Sequence, residues 1–189
     1  MKKLYIIGGC NGAGKTTASF NILPNILQCK EYVNADEIAR GISPFQPEKV
    51  SLEAGRIMLQ RIDELLHNGE DFAFETTLAT KSFGNLINKA KKKGYSITLI
   101  YFWLESVELA QRRVQLRVEE GGHNIPQDII IRRYYSGLRN LFNVYFNICD
   151  LVLIYDNSKN FPDLVFEKTQ NNEMISHNPE KINLIKSLL

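Results

Sequence analysis

An eight-residue run near the start of the chain limits the folds open to it. Gly9-Cys10-Asn11-Gly12-Ala13-Gly14-Lys15-Thr16 satisfies G-x-x-x-x-G-K-[ST] in full. It follows an apolar strand candidate, Leu4-Tyr5-Ile6-Ile7, and precedes a helix-compatible stretch interrupted only at Pro24. A strand, a glycine loop and a helix N-terminus in that order make a nest of backbone N–H groups at a positive dipole end, which suits phosphate. Gly12 and Gly14 permit backbone conformations and close approaches that a Cβ would hinder. Lys15 would reach β- and γ-phosphates, and the Thr16 hydroxyl would ligate Mg²⁺. Gly9, Asn11, Gly12, Ala13, Gly14, Lys15, Thr16 and Thr17 form the expected nucleotide-binding set.

Composition agrees with one soluble domain over residues 1–189. Apolar residues make up 44% and charged residues 23%, which excludes disorder and collagen-like or coiled-coil builds. A net charge of +2 is too mild to argue for nucleic acid. Cys10, Cys29 and Cys149 are widely spaced, without a Cys-x-x-Cys pair, so neither a disulfide framework nor a zinc site is expected. The opening apolar run stops at Gly8, short of a signal-peptide core. No stretch approaches the ~20 apolar residues of a membrane span. These features lead to the expectation of a cytoplasmic protein that uses no membrane.

Strand candidates alternate with helical patterns. Tyr32-Val33, Phe72-Ala73-Phe74, Ile97 to Trp103 and Leu151 to Tyr155 join the first strand as runs of continuous apolar character, expected of strands covered on both faces. Between them, Val50 to Leu66 reads as a helix stopped at Gly69. Ser82 and Ser106 can cap two more, and Pro126 suits the first turn of another. The alternation predicts an α/β fold with a parallel sheet. In the final extension, about 160–189, Leu164-Val165-Phe166 and Met174-Ile175 flank a polar turn and suggest a small antiparallel hairpin before a short helix from Pro179.

Several chemistries use such a loop. A GTPase would carry Asn-Lys-x-Asp, which is absent. An ATPase motor or ABC-type ATPase would carry an apolar strand ending in a metal-binding Asp, and Leu151 to Tyr155 with Asp156 has that form, though on the last strand. An ATPase acting as a regulatory or binding module without a soluble phosphoacceptor is the rival reading. A small-molecule kinase needs an acidic residue after the second strand, an acceptor pocket and an arginine lid. Asp36 stands roughly twenty residues after Lys15, where a carboxylate would take the acceptor's hydroxyl proton, sit near Mg²⁺, or merely cap a helix. Glu75 and Thr77 close the third strand at the same crevice and suit acceptor contacts, or a plain strand-exit turn. From about 112 to 133, Arg113, Arg117, Arg132 and Arg133 flank Gly121-Gly122, forming either a closing lid or a solvated helical hairpin.

The ordered set resembles the zeta-toxin-like P-loop kinases. It comprises the glycine loop, Asn34-Ala35-Asp36-Glu37, Phe74-Glu75-Thr76-Thr77, Gly121-Gly122-His123-Asn124-Ile125-Pro126 with Arg132-Arg133-Tyr134, and Tyr155-Asp156-Asn157-Ser158. The resemblance implies a nucleoside-kinase-like fold with five parallel strands in the order 2-3-1-4-5, helices around them and a helical lid. It implies ATP and Mg²⁺ as cofactors and a hydroxyl of a UDP-sugar, such as UDP-N-acetylglucosamine, as acceptor. By the same resemblance Asp36 matches the catalytic base, and Lys15, Arg117 and Arg133 join it in catalysis. Glu75, Thr77, Arg113 and Arg132 would meet the acceptor, Thr16 the metal, and Asn157 the nucleotide base. A toxic role would bring an antitoxin protein as partner.

Overall fold

The computed structural model describes residues 1–122 and 124–189, so His123 of the expected lid motif lies outside the described residues. Seven strands form one sheet: β1 (Lys2–Gly8), β2 (Glu31–Val33), β3 (Phe72–Thr76), β4 (Tyr95–Trp103), β5 (Leu151–Asp156), β6 (Asp163–Lys168) and β7 (Met174–Ser176), in the order β2-β3-β1-β4-β5-β6-β7. The first five are parallel and follow the expected 2-3-1-4-5 order. The sheet is larger than the five strands expected, because the hairpin of β6 and β7 hydrogen-bonds antiparallel onto β5 and continues the sheet. Pairing there covers what would otherwise be an open edge, and it buries Val165.

β1 carries the fold's centre. Leu4, Tyr5, Ile6 and Ile7 are buried on both faces, which is why their apolar run does not alternate. Helices flank the sheet: α1 (Lys15–Asn21), α2 (Ala35–Ile42), α3 (Ser51–Asn68), α4 (Phe83–Lys92), α5 (Val107–Glu119), α6 (Gln127–Asn140), α7 (Phe146–Ile148) and α8 (Pro179–Ser187). After α1 the chain widens into a π turn over Ile22–Ile26, which accommodates Pro24 and its missing N–H. Gly69 ends α3 with φ 75°, a left-handed conformation natural to glycine. Ser106 caps α5 as expected, accepting from the Leu109 N–H. Ser82 does not cap α4; its hydroxyl meets that of Thr80 instead. Pro126 stands one residue before α6 rather than inside its first turn.

Two lysines, Lys168 buried and Lys181 half-buried, tie the C-terminal extension to the sheet. Lys168 donates to the carbonyls of Phe146 and Cys149 at 2.7 and 2.9 Å, closing the end of α7 where cations complement the helix dipole. Lys181 on α8 reaches Asp156 at 2.8 Å and Asp163 at 2.9 Å. Burial pushes the Asp156 carboxyl up, but hydrogen bonds from Lys181 and Ser158 outweigh it and hold the group below its usual value. The same pairing raises Lys181.

A depressed carboxylate stabilises the fold above its unfolded pKa of about 3.9, and that contribution fades as pH falls through the lower folded value. Lys181→Met should therefore cost about 1–3 kcal/mol at pH 7, the scale of a hydrogen bond to a charged group. The loss should shrink as Asp156 protonates below about pH 4. Thermal unfolding followed by circular dichroism between pH 3 and 7 checks both the size and the pH trend.

Candidate active site

The glycine loop leaves β1 and turns directly into α1. Gly9 has φ 142°, and a Cβ there would stand 2.4 Å from the Phe102 carbonyl oxygen. Gly14 has φ 78° and leaves room only for the Asn157 amide, which a Cβ would meet at 2.5 Å. Lys15 is 6% exposed. Its ammonium donates to the Cys10 carbonyl at 3.0 Å and pairs with Glu75 Oε1 at 3.4 Å. The Thr16 hydroxyl donates to Glu75 Oε2 at 2.9 Å. Burial pushes the Cys10 thiol up to about 11, so this loop cysteine stays protonated and offers no nucleophile.

Parallel pairing sets Glu75 beside Ile7, one residue before β1 ends. Its carboxylate also accepts from the Tyr32 hydroxyl at 2.5 Å and from Asn34 Nδ2 at 3.1 Å. Burial and the Glu75 charge hold the Tyr32 phenol well above its usual range, so it remains a donor. Asn34 has a second duty. Its Oδ1 accepts from the Asp36 N–H at 2.8 Å and caps α2. Asp36 is thus not the cap that one sequence alternative allowed; its carboxylate stands in the exposed first turn and lines the cavity beside the glycine loop.

That cavity measures about 410 Å³, and its walls include Lys15, Thr16, Asp36, Glu75, Arg113 and Arg117. Asn11, Gly12, Gly14 and Thr17 line it as well. Arg113 is largely committed: its two terminal nitrogens donate to the carbonyls of Asn157 and Ser158 at 2.8 and 3.0 Å. Asn157 in turn donates to the Ala13 carbonyl at 2.8 Å. The loop expected at the nucleotide base therefore braces the phosphate loop from behind. α5 ends in a tight turn in which the Gly122 N–H bonds the Arg117 carbonyl at 2.7 Å. Arg133 donates to Asn11 Oδ1 at 3.1 Å. Burial lowers its pKa, and the nearby negative charge of Asp36 works against that shift.

Two expected contacts fall elsewhere. Arg132 is exposed and does not line the cavity, because neighbouring residues on a helix face different directions and Arg133 takes the inward one. Thr77 also stands off the cavity; its carbonyl lies under α6, where a Cβ on Gly137 would meet it at 2.5 Å. Asp156 is engaged by Lys181 and Ser158 and does not line the cavity. Glu75, on the strand next to β1, is the carboxylate that faces the phosphate loop.

Thr16 Oγ1 and Glu75 Oε2 are two hard oxygens 2.9 Å apart at the cavity. They suit Mg²⁺, which typically takes one or two protein oxygens and completes its shell with water and phosphate. Among the described residues no group of three or more His, Cys, Asp or Glu side chains could cage a metal.

Residues 1–164 match the family described as Zeta toxin. The chain belongs to the zeta toxin family. A protein of Haemophilus influenzae is 33% identical over 141 residues, 70% of this chain and 98% of its own length. The AvrRxo1-ORF1:-ORF2 crystal structure with ATP superposes with a TM-score of 0.79 at 15% identity, covering 100% of this chain; the chain spans 64% of that structure's length. The PezAT toxin–antitoxin structure from Streptococcus pneumoniae gives a TM-score of 0.68 at 18% identity, over 100% of this chain and 78% of that one. At these identities the structural likenesses show the shared fold. Among the described residues no helix is long and apolar enough to cross a membrane.

In this zeta toxin family member, Tyr32 and Asn34 contact Glu75, a role that the sequence pattern assigned to neither, although Asn34 opens the Asn34-Ala35-Asp36-Glu37 motif. A signal existed. Two residues apart in extended chain, they point to one face, toward the end of β3. The strand was too short and mixed to make that alternation stand out. Lys15→Ala should weaken ATP binding at least about a hundredfold, by removing the phosphate loop's cation from a low-dielectric site. Titration calorimetry with ATP checks this, and affinity near that of the unaltered chain would remove Lys15 from the nucleotide site.

Proposed function

We propose that the chain is an ATP- and Mg²⁺-dependent kinase that transfers the γ-phosphate to a hydroxyl of a small acceptor, a UDP-sugar such as UDP-N-acetylglucosamine. One observation carries the proposal. A single cavity holds the phosphate-loop Lys15 and Thr16 and, across it, an exposed carboxylate, Asp36, that has no capping duty. Zeta toxin membership and the ATP in the similar AvrRxo1-ORF1:-ORF2 structure support the nucleotide. The PezAT likeness supports a toxin that pairs with an antitoxin protein.

In this mechanism the loop's backbone N–H groups and the Lys15 ammonium bind the phosphates, while Thr16, with Glu75 beside it, holds the cation site. Mg²⁺ bound there would neutralise phosphate charge. Asp36 accepts the acceptor's hydroxyl proton as its oxygen attacks. Arg117 and Arg133, on α5 and α6, meet the charge that grows on the transferring group. Glu75 stays at the end of β3 and borders the acceptor end of the cavity as Lys15 moves to phosphate. Arg113 and Asn157 fix the loop beside the nucleotide.

Asp36→Asn keeps size and polarity but removes the proton acceptor. Its ATP affinity should stay near normal, while acceptor phosphorylation falls about 10²–10⁴-fold. Calorimetry and mass spectrometry of a UDP-sugar panel incubated with ATP and Mg²⁺ decide this. Steady ATP hydrolysis unaffected by every acceptor would point instead to an ATPase module. Arg117→Ala and Arg133→Ala should each lower kcat by more than they weaken ATP binding, since the charge they meet is largest in the transition state. Equal losses in both would assign them to phosphate anchoring.

A further inference from the structure

Four donors converge on the Glu75 carboxylate, and they fall into two pairs. Lys15 and Thr16 belong to the phosphate loop, and each has other work once a nucleotide arrives. The Lys15 ammonium is then needed on phosphate oxygens, and the Thr16 hydroxyl oxygen on the cation. Tyr32 and Asn34 have no such alternative. Neither lines the nucleotide cavity; both border a separate groove of about 560 Å³ on the far side of β2. Binding that draws Lys15 and Thr16 away therefore leaves Glu75, beside the cation site, with two protein donors, the Tyr32 hydroxyl at 2.5 Å and the Asn34 amide at 3.1 Å.

We infer that Tyr32 and Asn34 form a clamp that keeps the Glu75 carboxylate in place in the nucleotide-bound state, which makes Tyr32 a positioning residue acting through Glu75. A carboxylate beside the cation site and a triphosphate needs protein donors to fix its orientation, because the cation site takes only part of its lone pairs and the phosphate charge repels it. The clamp is itself held. Asn34 Nδ2 also reaches the Tyr32 oxygen at 3.2 Å, and the Tyr32 ring packs edge-on against Phe20 at 6.1 Å between centroids. Through its Oδ1, Asn34 holds the backbone of Asp36 as well. One amide side chain thus sets the spacing between the first turn of α2, which carries the proposed base, and Glu75. The inference rests on the proposed nucleotide site.

The test is a double-mutant cycle on the full chain, read by calorimetry with ATP in excess Mg²⁺ and by thermal unfolding without nucleotide. In the empty protein, Tyr32→Phe leaves Glu75 three donors, so the unfolding midpoint should hardly move. In the bound protein it leaves one, so the MgATP Kd should rise about tenfold, within the range of a hydrogen bond to a charged group. In a Glu75→Gln background the same substitution should change the Kd less than twofold, because its effect runs through the carboxylate. Asn34→Ser keeps a capping oxygen for α2 but deletes the donor to Glu75, and should weaken MgATP similarly. An unchanged Kd in both Tyr32→Phe and Asn34→Ser overturns the clamp. So does a tenfold loss that persists without Glu75, which would give Tyr32 a role of its own, or a lowered midpoint with no coupling, which would make it packing only. Failure of the unaltered chain to bind MgATP at all would overturn the nucleotide site, and the clamp with it.

Discussion

The buried contact between the Lys15 ammonium and the Glu75 carboxylate organises the site. Its side chains are only 6% and 9% exposed, so both charges have left most of their water and depend on the partners around them. Lys15 has the Cys10 carbonyl as a further acceptor; Glu75 has Thr16, Tyr32 and Asn34 as further donors. A buried pair with its remaining valences satisfied keeps a defined geometry, and here it fixes three chain segments to one another: the loop after β1, the end of β3 and the exit of β2. The segments meet because β3 lies between β2 and β1 and all three run parallel.

A second set of contacts holds the other wall. The segment after β5 is bound to the phosphate loop through Asn157, to α5 through Arg113, and to α8 through the Asp156–Lys181 pair. The C-terminal helix therefore stabilises a loop beside the nucleotide cavity without entering it. α8 and β7 lie beyond residues 1–164 that match the zeta toxin family, though the similar AvrRxo1-ORF1:-ORF2 and PezAT structures cover the whole chain. The sheet follows the same pattern. Its parallel five-stranded part falls within the match, and the added hairpin extends across its edge.

Much of the site lay open in the sequence because its residues sit in local motifs. The glycine loop needs only contiguous residues, and Gly9, Gly14, Lys15 and Thr16 occupy the positions their order implies. Arg117 reaches the cavity, and Arg133 reaches the loop residue Asn11. Arg132 and Thr77 were not separable from their neighbours by pattern alone. Helix phase and the approach of α6 decide which of two adjacent side chains faces inward.

The sequence by itself determined the α/β alternation, the phosphate loop, the order of the parallel strands through family resemblance, and Asp36 as a candidate for the base or the cap. Each is written in contiguous residues or in a recurring spacing. Only the tertiary structure decided that Asn34 caps α2, that Asp156 belongs to Lys181, that the hairpin continues the sheet, and that Tyr32 and Asn34 converge on Glu75. Those are contacts between residues distant in the chain or choices among neighbouring polar groups. They are settled by which strands lie side by side and which donors are left to satisfy a buried charge.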